Sequence, residues 1–574
     1  MRKLTKREIR NDLRNYEERM INDILNDTGS TKSINKELSY TKKTWIQKLE
    51  HNQTPITNRK EIAAVATKFY EELYQSRRTE HENQEPPQVT DNLQTDYKQE
   101  CDEISISVNE ILDAVKKLKK GKACGPDGIN NEILKIGIEV MKKKWSVIFT
   151  KMLSSGKVPD QWKENDIILL HKKGRKDLIG NYRPITLSSC VYKLFAGIIA
   201  KRIAPAINRN QAESQAGFRA GYSTTDHLQS LNQLIEKYNG HGKNLYIAFV
   251  DFEKAFDSLE HDSIWKSLEA DQVDTMYINL IKNIYQGNKA KIRLDVNGPV
   301  FEIKRGVKQG CPLSSFLFNS VLEHVIREIN WTSKGIYIGS ELLSNLRFAD
   351  DLALLARNAK DLNDMLRELQ DKCLEKGLKI NTKKTVAMTN GPKLAISLGE
   401  TQLEYTNETV YLGQLISFDK NTSQEIQRRI TKCWSKFWSL KKILKGSTEL
   451  KMKGKVIDKC LMPVLLYGCQ TWAPTQKDYN RLDSTQMQIL RSACGIKKLQ
   501  KIRNERIRAR TGCQETASER ARKLKWRWAG HVARMSDERW AKKITTWTPQ
   551  ESRRRGRQRK KWEDDITKTA GRNW

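Results

Sequence analysis

Apolar positions along the chain change their period several times, and the changes mark its elements. Residues 1–74 read as largely helical with charged faces, most clearly at Ile62-Ala-Ala-Val-Ala-Thr-Lys-Phe-Tyr-Glu-Glu-Leu-Tyr74, where apolar residues recur along one helix face. Residues 76–100 lose that period, and Pro86, Pro87 and many Gln, Asn, Asp and Glu make the stretch a linker. Helical spacing returns at about 108–120 and stops at the turn Gly125-Pro-Asp-Gly128. Leu245-Tyr-Ile-Ala-Phe-Val-Asp251 is a short, β-rich apolar run, which predicts a buried strand ending in a carboxylate. Residues 342–357 set two apolar arms around Asp350-Asp351, the pattern of a hairpin. Gly306, Gly310 and Pro312 constrain a loop ahead of an apolar helix at about 315–328. After about residue 423 helices dominate, and the stripe holding Trp434, Phe437, Trp438 and Leu440 reads as helix core.

Composition adds a partner class. The 574 residues, 38% of them hydrophobic, are enough for several domains. Their 103 Lys and Arg against 69 Asp and Glu give a net charge of +34, which argues for a polyanionic partner such as a phosphate backbone. No run of about 18 apolar residues suggests a membrane span, and the charged start at Met1-Arg2-Lys3 is not a secretory signal. Ten cysteines, none in a Cys-x-x-Cys pair, read as reduced intracellular thiols rather than as a zinc site. Residues 491–574 carry 26 Lys and Arg against 9 Asp and Glu, so half of the net charge sits in a basic C-terminal unit.

The carboxylates point to the chemistry. Two adjacent acids in an apolar hairpin are costly to bury without a counter-charge, and a hard divalent cation such as Mg²⁺ supplies one. Neighbours on a strand face opposite ways, so a tight turn is needed if both acids are to serve one site. Asp350-Asp351 alone would equally suit a solvated turn. Asp251, 99 residues earlier at a strand end, makes a two-metal site conceivable, and such a site runs phosphoryl transfer. Asp257 and Asp262 read instead as a helix-start acid and a surface residue.

Eight ordered blocks then carry a resemblance. They are Gly121-Lys-Ala-Cys-Gly-Pro-Asp-Gly-Ile129, Asn181-Tyr-Arg-Pro-Ile-Thr-Leu-Ser188, Gln215-Ala-Gly-Phe-Arg219, Asp251-Phe-Glu-Lys-Ala-Phe-Asp257, Gln309-Gly-Cys-Pro-Leu313, Phe348-Ala-Asp-Asp351, Gly377-Leu-Lys-Ile-Asn-Thr-Lys383 and Tyr411-Leu-Gly413. In this order they resemble the reverse transcriptases of non-LTR (LINE-type) retrotransposons, and the tail from Trp528 to Asp565 is similar to RTE-like and related clades. The resemblance implies an α+β right-hand polymerase: fingers, a palm with an antiparallel sheet, and a helical thumb. A helical N-terminal extension and linker would occupy 1–100, fingers and palm 101–422, the thumb 423–500, and a basic, Trp-rich nucleic-acid-binding region 501–574.

The same resemblance implies roles. Asp251, Asp350 and the Phe252 carbonyl would hold two Mg²⁺, with Mn²⁺ as a substitute, and Asp351 would be the weaker third acid. Phe256 matches a steric gate favouring dNTPs, though plain palm core would look the same. Arg183 matches a triphosphate contact, with Lys172 or Lys173 assisting. Gln309 and Gly310 match the loop under the nucleotide and template base, and Lys383 a lysine near the pyrophosphate. Tyr411, Leu412 and Gly413 resemble the primer grip. RNA template, DNA primer or target, and dNTPs would be the partners, with no membrane, in the nucleus after a cytoplasmic RNA-bound stage.

Six of the fourteen tryptophans, at 526, 528, 540, 547, 562 and 574, lie among Arg and Lys and could stack on bases or fill a small core. The basic run 553–561 suits nucleic acid or a nuclear-localisation signal, with a solvated charge run as the plain alternative. Nothing in residues 1–100 resembles the apurinic-type endonuclease that usually lies upstream in such enzymes, and no RNase H signature is apparent. The competing readings are a catalytically inactive or domesticated nucleic-acid-binding relic and an RNA-dependent RNA polymerase.

Overall fold

In the computed structural model, the residues described are 2–27, 46–51, 53–76, 105–419, 421–550, 552–553 and 559–571. All but the first residue of the expected linker at 76–100, most of the basic run at 553–561, and Trp574 lie outside them. The chain has the α+β right-hand architecture. Its helices include α1 (Arg2–Asp27), α2 (Arg59–Tyr74), α3 (Cys190–Arg209), α4 (Thr224–His241), α5 (Ser314–Arg327), α6 (Asn421–Ser439), α7 (Gln476–Cys494), α8 (Ala517–Ala533) and α9 (Trp540–Thr546). Its main strands are β1 (Glu164–His171), β2 (Tyr182–Leu187), β3 (Tyr246–Val250), β4 (Lys289–Ile292), β5 (Val300–Glu302), β6 (Asn345–Phe348), β7 (Asp351–Ala356), β8 (Val386–Thr389), β9 (Glu408–Tyr411) and β10 (Gln414–Ser417).

The palm is a four-stranded antiparallel sheet in the order β6-β7-β3-β8. Its central strand β3 is buried at every position, because helices and loops cover both faces. Ala248, Val250, Leu352 and Leu354 face one core, shared with α3 and α5. Ile247, Phe249, Ala353 and Leu355 face another, shared with α4, Tyr411 and Ile416. Two covered faces turn the usual alternation into a continuous apolar run. The fingers sheet has the order β2-β1-β4-β5, parallel between β1 and β4 and antiparallel elsewhere.

A separate helical core gathers Ile426 and Phe437 from α6 and Leu440 just after it with Leu482 and Leu490 from α7. Ile21 and Leu25 of α1 pack into this same core, so the first helix closes against elements more than 400 residues later. Within α6, Phe437 is buried, but Trp438 is 54% exposed. The C-terminal unit folds back on the palm. The Lys237 ammonium on α4 donates to the carbonyls of Ile544 (2.7 Å), Thr545 (2.9 Å) and Trp547, the last turn of α9 and the residue after it. Trp562 is fully buried, and its indole N–H donates to the Gln470 carbonyl at 2.6 Å. Trp528 is also buried, and Trp540 and Trp547 pack on the palm core, whereas Trp526 is 38% exposed. Among the described residues no helix is long and apolar enough to cross a membrane.

Candidate active site

Strands β6 and β7 pair with Phe348 opposite Asp351, so Ala349 and Asp350 form the two-residue turn between them. Ala349 takes φ +56°, a left-handed backbone that costs an L-residue roughly 1–2 kcal/mol. The surroundings hold it there. Gln215 is fully buried, and its side-chain oxygen accepts from the backbone N–H of Ala349 (3.1 Å) and of Gly217 (2.8 Å). Ala216 N–H donates to the Arg347 carbonyl at 2.9 Å, and Arg347 N–H to the Ser214 carbonyl at 2.8 Å. At Gly217 a β-carbon would strike the Ala349 nitrogen and lie 2.8 Å from the Phe348 carbonyl carbon. Below the turn, buried Arg347 and Glu323 form an ion pair at 3.1 Å.

Asp251 follows the end of β3. Leu352 pairs with Val250, so the next step of the register sets Asp351 across from Asp251. The Asp251 backbone is clamped by a later segment: its carbonyl accepts from Asn381 N–H at 2.7 Å, and its N–H donates to the Thr385 hydroxyl at 3.3 Å. Phe252, buried, bridges to Ile380. The resemblance singles out Lys383 in this segment and not its neighbour Lys384. Lys384 lies 3.5 Å from an Asp251 carboxylate oxygen, while Lys383 is exposed and forms no ion pair among those of the described residues.

The acids sense one another. Burial, then the charges of Asp350 and Asp251, push Asp351 up to about 6, although it keeps a solvent-exposed edge. Asp350 is raised too, chiefly by burial, with Asp251 adding to the shift. The cations Lys172 and Arg183 of the fingers oppose both shifts, so of the pair Lys172–Lys173 it is Lys172 whose charge reaches the acids. The donors here are all carboxylate and backbone oxygen, and one Asp251 carboxylate oxygen is buried without a hydrogen bond. That set fits a hard divalent cation. Among the described residues no three His, Cys, Asp or Glu side chains form a ready-made metal cage.

Arg183 is exposed on β2 and Gly310 on its loop, with Gln309 half-buried beside it. The Gln309 carbonyl accepts from Thr186 N–H of β2 at 2.9 Å, which ties the loop to the strand carrying Arg183. The Phe256 ring stacks on Phe318 (4.6 Å, 15°) and meets Phe218 edge-on at 6.4 Å. It is partly exposed, so it belongs to the palm core on one side and to the cleft on the other. Phe218 has φ +58° and is 53% exposed. Tyr411 is buried against Phe249 at 5.2 Å, under the sheet rather than at the cleft. Leu412 and Gly413, both with positive φ, turn the β9–β10 hairpin, and their carbonyls accept from the Tyr467 hydroxyl (2.8 Å) and the Arg429 guanidinium.

Sequence reasoning passed over Asp257. It does stand in the first turn of a short helix, Ala255–Ser258, but it is 1% exposed. One of its oxygens accepts from the Tyr74 hydroxyl at 2.9 Å and the other from the Gln309 amide at 2.7 Å. Its burial lifts it to about 6. The available signal was its position inside the Asp251–Asp257 block, where every acid deserves a partner search.

Residues 170–416 match the family model described as "Reverse transcriptase (RNA-dependent DNA polymerase)". A transposon-derived protein of Caenorhabditis elegans is 34% identical over 239 residues, 39% of this chain and 85% of that one. The protein named "Probable RNA-directed DNA polymerase from transposon BS" of Drosophila melanogaster is 26% identical over 71% of this chain and 46% of its own length. A "Retrovirus-related Pol polyprotein from type-1 retrotransposable element R2" of Popillia japonica is 29% identical over 66% of this chain and 54% of its own. The chain spans about half the length of these last two relatives.

Proposed function

Because the chain belongs to the reverse transcriptases of non-LTR retrotransposons, we propose that it is an RNA-directed DNA polymerase, extending a DNA 3′-hydroxyl on an RNA template with dNTPs. The observation that carries this reading is the meeting of Asp251 with the braced Asp350–Asp351 turn, opposite the fingers cations Lys172 and Arg183. Two Mg²⁺ ions, or Mn²⁺ in their place, held by Asp251, Asp350 and the Phe252 carbonyl, would supply the charge that favours the ionised hydroxyl and the leaving pyrophosphate.

The chain's own groups do the rest. Asp351 tunes the charge of the pair beside it. Arg183 and Lys172 grip phosphate oxygens of the triphosphate, the guanidinium in a two-pronged fashion. Gln309 and Gly310 floor the nucleotide pocket, and Phe256 stands where a ribose 2′-hydroxyl would go. The 3′-hydroxyl gives up its proton to solvent, its oxygen bonds to the α-phosphorus, the bond from the α-phosphorus to the bridging oxygen of the β-phosphate breaks, and pyrophosphate leaves past Lys383 and Lys384. Tyr411, Leu412 and Gly413 hold the primer side through the β9–β10 hairpin, whose exposed Gly413 rather than the buried Tyr411 and Leu412 side chains would face it. The basic C-terminal unit adds phosphate contacts, and nuclear residence follows from a DNA target.

The test is primer extension on an RNA template with dNTPs or NTPs, beside Asp251→Ala and Asp350→Ala. Template-dependent DNA synthesis lost in both variants is the expected result. Equal synthesis by the variants would remove the catalytic assignment, and a preference for NTPs would make the chain an RNA polymerase. No product from the wild-type chain would leave it a nucleic-acid-binding relic.

A further inference from the structure

The last residue of α2, Tyr74, comes from the N-terminal extension, yet its hydroxyl ends inside the polymerase site. We propose that Tyr74 is a positioning residue for nucleotide selection, acting through Asp257 on the amide of Gln309; this rests on the polymerase reading above.

The geometry is a three-member chain. The Tyr74 hydroxyl donates to one Asp257 oxygen at 2.9 Å, and the Gln309 amide nitrogen donates to the other at 2.7 Å. Tyr74 and Asp257 are 3% and 1% exposed, so the bond between them is shielded from water, while the Gln309 bond is partly buried. A carboxylate only accepts, so the ionised Asp257 commits the Gln309 nitrogen to itself and directs the amide oxygen elsewhere. The Gln309 carbonyl is held separately by Thr186 N–H at 2.9 Å. Main chain and side chain of Gln309 are therefore fixed by different elements, β2 and the Asp257 helix.

Tyr74 is itself anchored. Its carbonyl accepts from Lys304 N–H at 3.0 Å, the preceding Leu73 carbonyl accepts from buried Arg305 at 2.7 Å, and its ring stacks on Phe301 at 6.2 Å. One turn back, the Tyr70 hydroxyl donates to the Tyr182 carbonyl at 3.1 Å, one residue before Arg183. The helix thus holds the strand that carries Arg183 and the carboxylate that orients Gln309.

The experiment uses the full chain and steady-state primer extension, separating KM for dNTP from kcat. Tyr74→Phe removes one oxygen and no volume. We expect KM for dNTP to rise about fivefold, the size of one lost hydrogen bond, with kcat changed less than twofold. On a Gln309→Ala background the same substitution should leave KM unmoved, because the amide it orients is gone. Ala66→Gly is the structural control: it loosens the same helix at a buried position while removing no hydrogen bond to Asp257 or to Tyr182, so thermal stability should fall and KM stay near wild type. An unchanged KM in Tyr74→Phe overturns the proposal, as does an equal KM rise on the Gln309→Ala background or in Ala66→Gly. Lack of extension by the wild-type chain instead overturns the polymerase reading, and this role with it.

Discussion

The side-chain oxygen of Gln215 accepts a hydrogen bond from the backbone N–H of Ala349 at 3.1 Å, and this contact fastens the turn that carries Asp350. The two residues are 134 positions apart, and the bond joins the approach to α4 with the palm hairpin. Gln215→Leu keeps the volume and strands two buried N–H groups, those of Ala349 and Gly217. The expected loss of stability is about 2–6 kcal/mol, since each of the two buried unmade bonds costs roughly 1–3. Displacing the turn by about 1 Å would lower kcat on the order of a hundredfold. Chemical denaturation and primer extension check the two effects separately.

Gly217→Ala attacks the same turn from the other side. Its new methyl would meet the Ala349 nitrogen and the Phe348 carbonyl carbon, both backbone atoms that cannot swing away. Overpacking of this kind costs about 1–3 kcal/mol. Because the strain falls on the turn carrying Asp350, activity should drop further than stability predicts. A variant with wild-type activity would show that the hairpin is free to shift.

These two residues show what could be read in the sequence and what could not. The palm strand was legible because Leu245-Tyr-Ile-Ala-Phe-Val is apolar throughout, and a strand covered on both faces requires that. The hairpin was legible because an acid pair interrupts two apolar arms. Gln215 was visible as part of a block, but its partner lies across the fold, and no local periodicity announces such a bond. Asp257 is the sharper case. Its place at a helix start is real, and the local rule for such acids holds, yet its charge is spent on Tyr74, 183 residues earlier, and on Gln309, 52 residues later. Lys383 and Lys384 differ by one position, and only the packing of the 379–385 segment against Asp251 decides which of them reaches the carboxylate.

Acid titration should be visible in stability. Asp257 and Asp351 both rise to about 6, from burial first. A raised carboxyl favours the folded state while protonated, so its contribution is complete below the ordinary carboxylate range and is lost as pH climbs through about 6. Metal-free protein should therefore lose melting temperature between pH 5 and pH 7.5. Asp257→Asn should shrink that loss relative to wild type, a comparison in which the large positive charge of the chain cancels. Mg²⁺ should restore stability at pH 7.5 more than at pH 5, because protons and metal compete for Asp350 and Asp351, and Asp251→Asn should abolish most of the restoration. A melting temperature that rises steadily from pH 5 to pH 7.5 without metal would contradict the assignment.

Phe256 offers a cleaner separation of roles. Its ring is stacked on Phe318 and still partly exposed toward Phe218. Phe256→Ala should cost about 2 kcal/mol, below the usual range for a fully buried ring. If the exposed edge excludes a 2′-hydroxyl, rNTP incorporation relative to dNTP should rise on the order of 10–100-fold. A stability loss with unchanged sugar selectivity would make Phe256 a core residue only.

The C-terminal tryptophans divide by exposure, and their substitution should divide the same way. Trp562 is fully buried, its indole N–H donates to the Gln470 carbonyl at 2.6 Å, and its backbone N–H donates to the Glu236 carboxylate at 2.8 Å. Trp562→Ala should destabilise the chain by about 3–5 kcal/mol and open the C-terminal unit to protease. Measured on the folded fraction, its affinity for single-stranded RNA should change little. Trp526 is 38% exposed on α8, beside Arg522, Lys523 and Arg527, so it contributes less to folding than Trp562. Trp526→Ala should lower the melting temperature less than Trp562→Ala does. If its ring stacks on a base, RNA affinity should fall about tenfold, the scale of one lost aromatic–base contact. The salt dependence of binding should not change, since no phosphate contact is removed. Equal affinity in Trp526→Ala and wild type would leave the basic side chains alone to account for nucleic-acid binding by this unit.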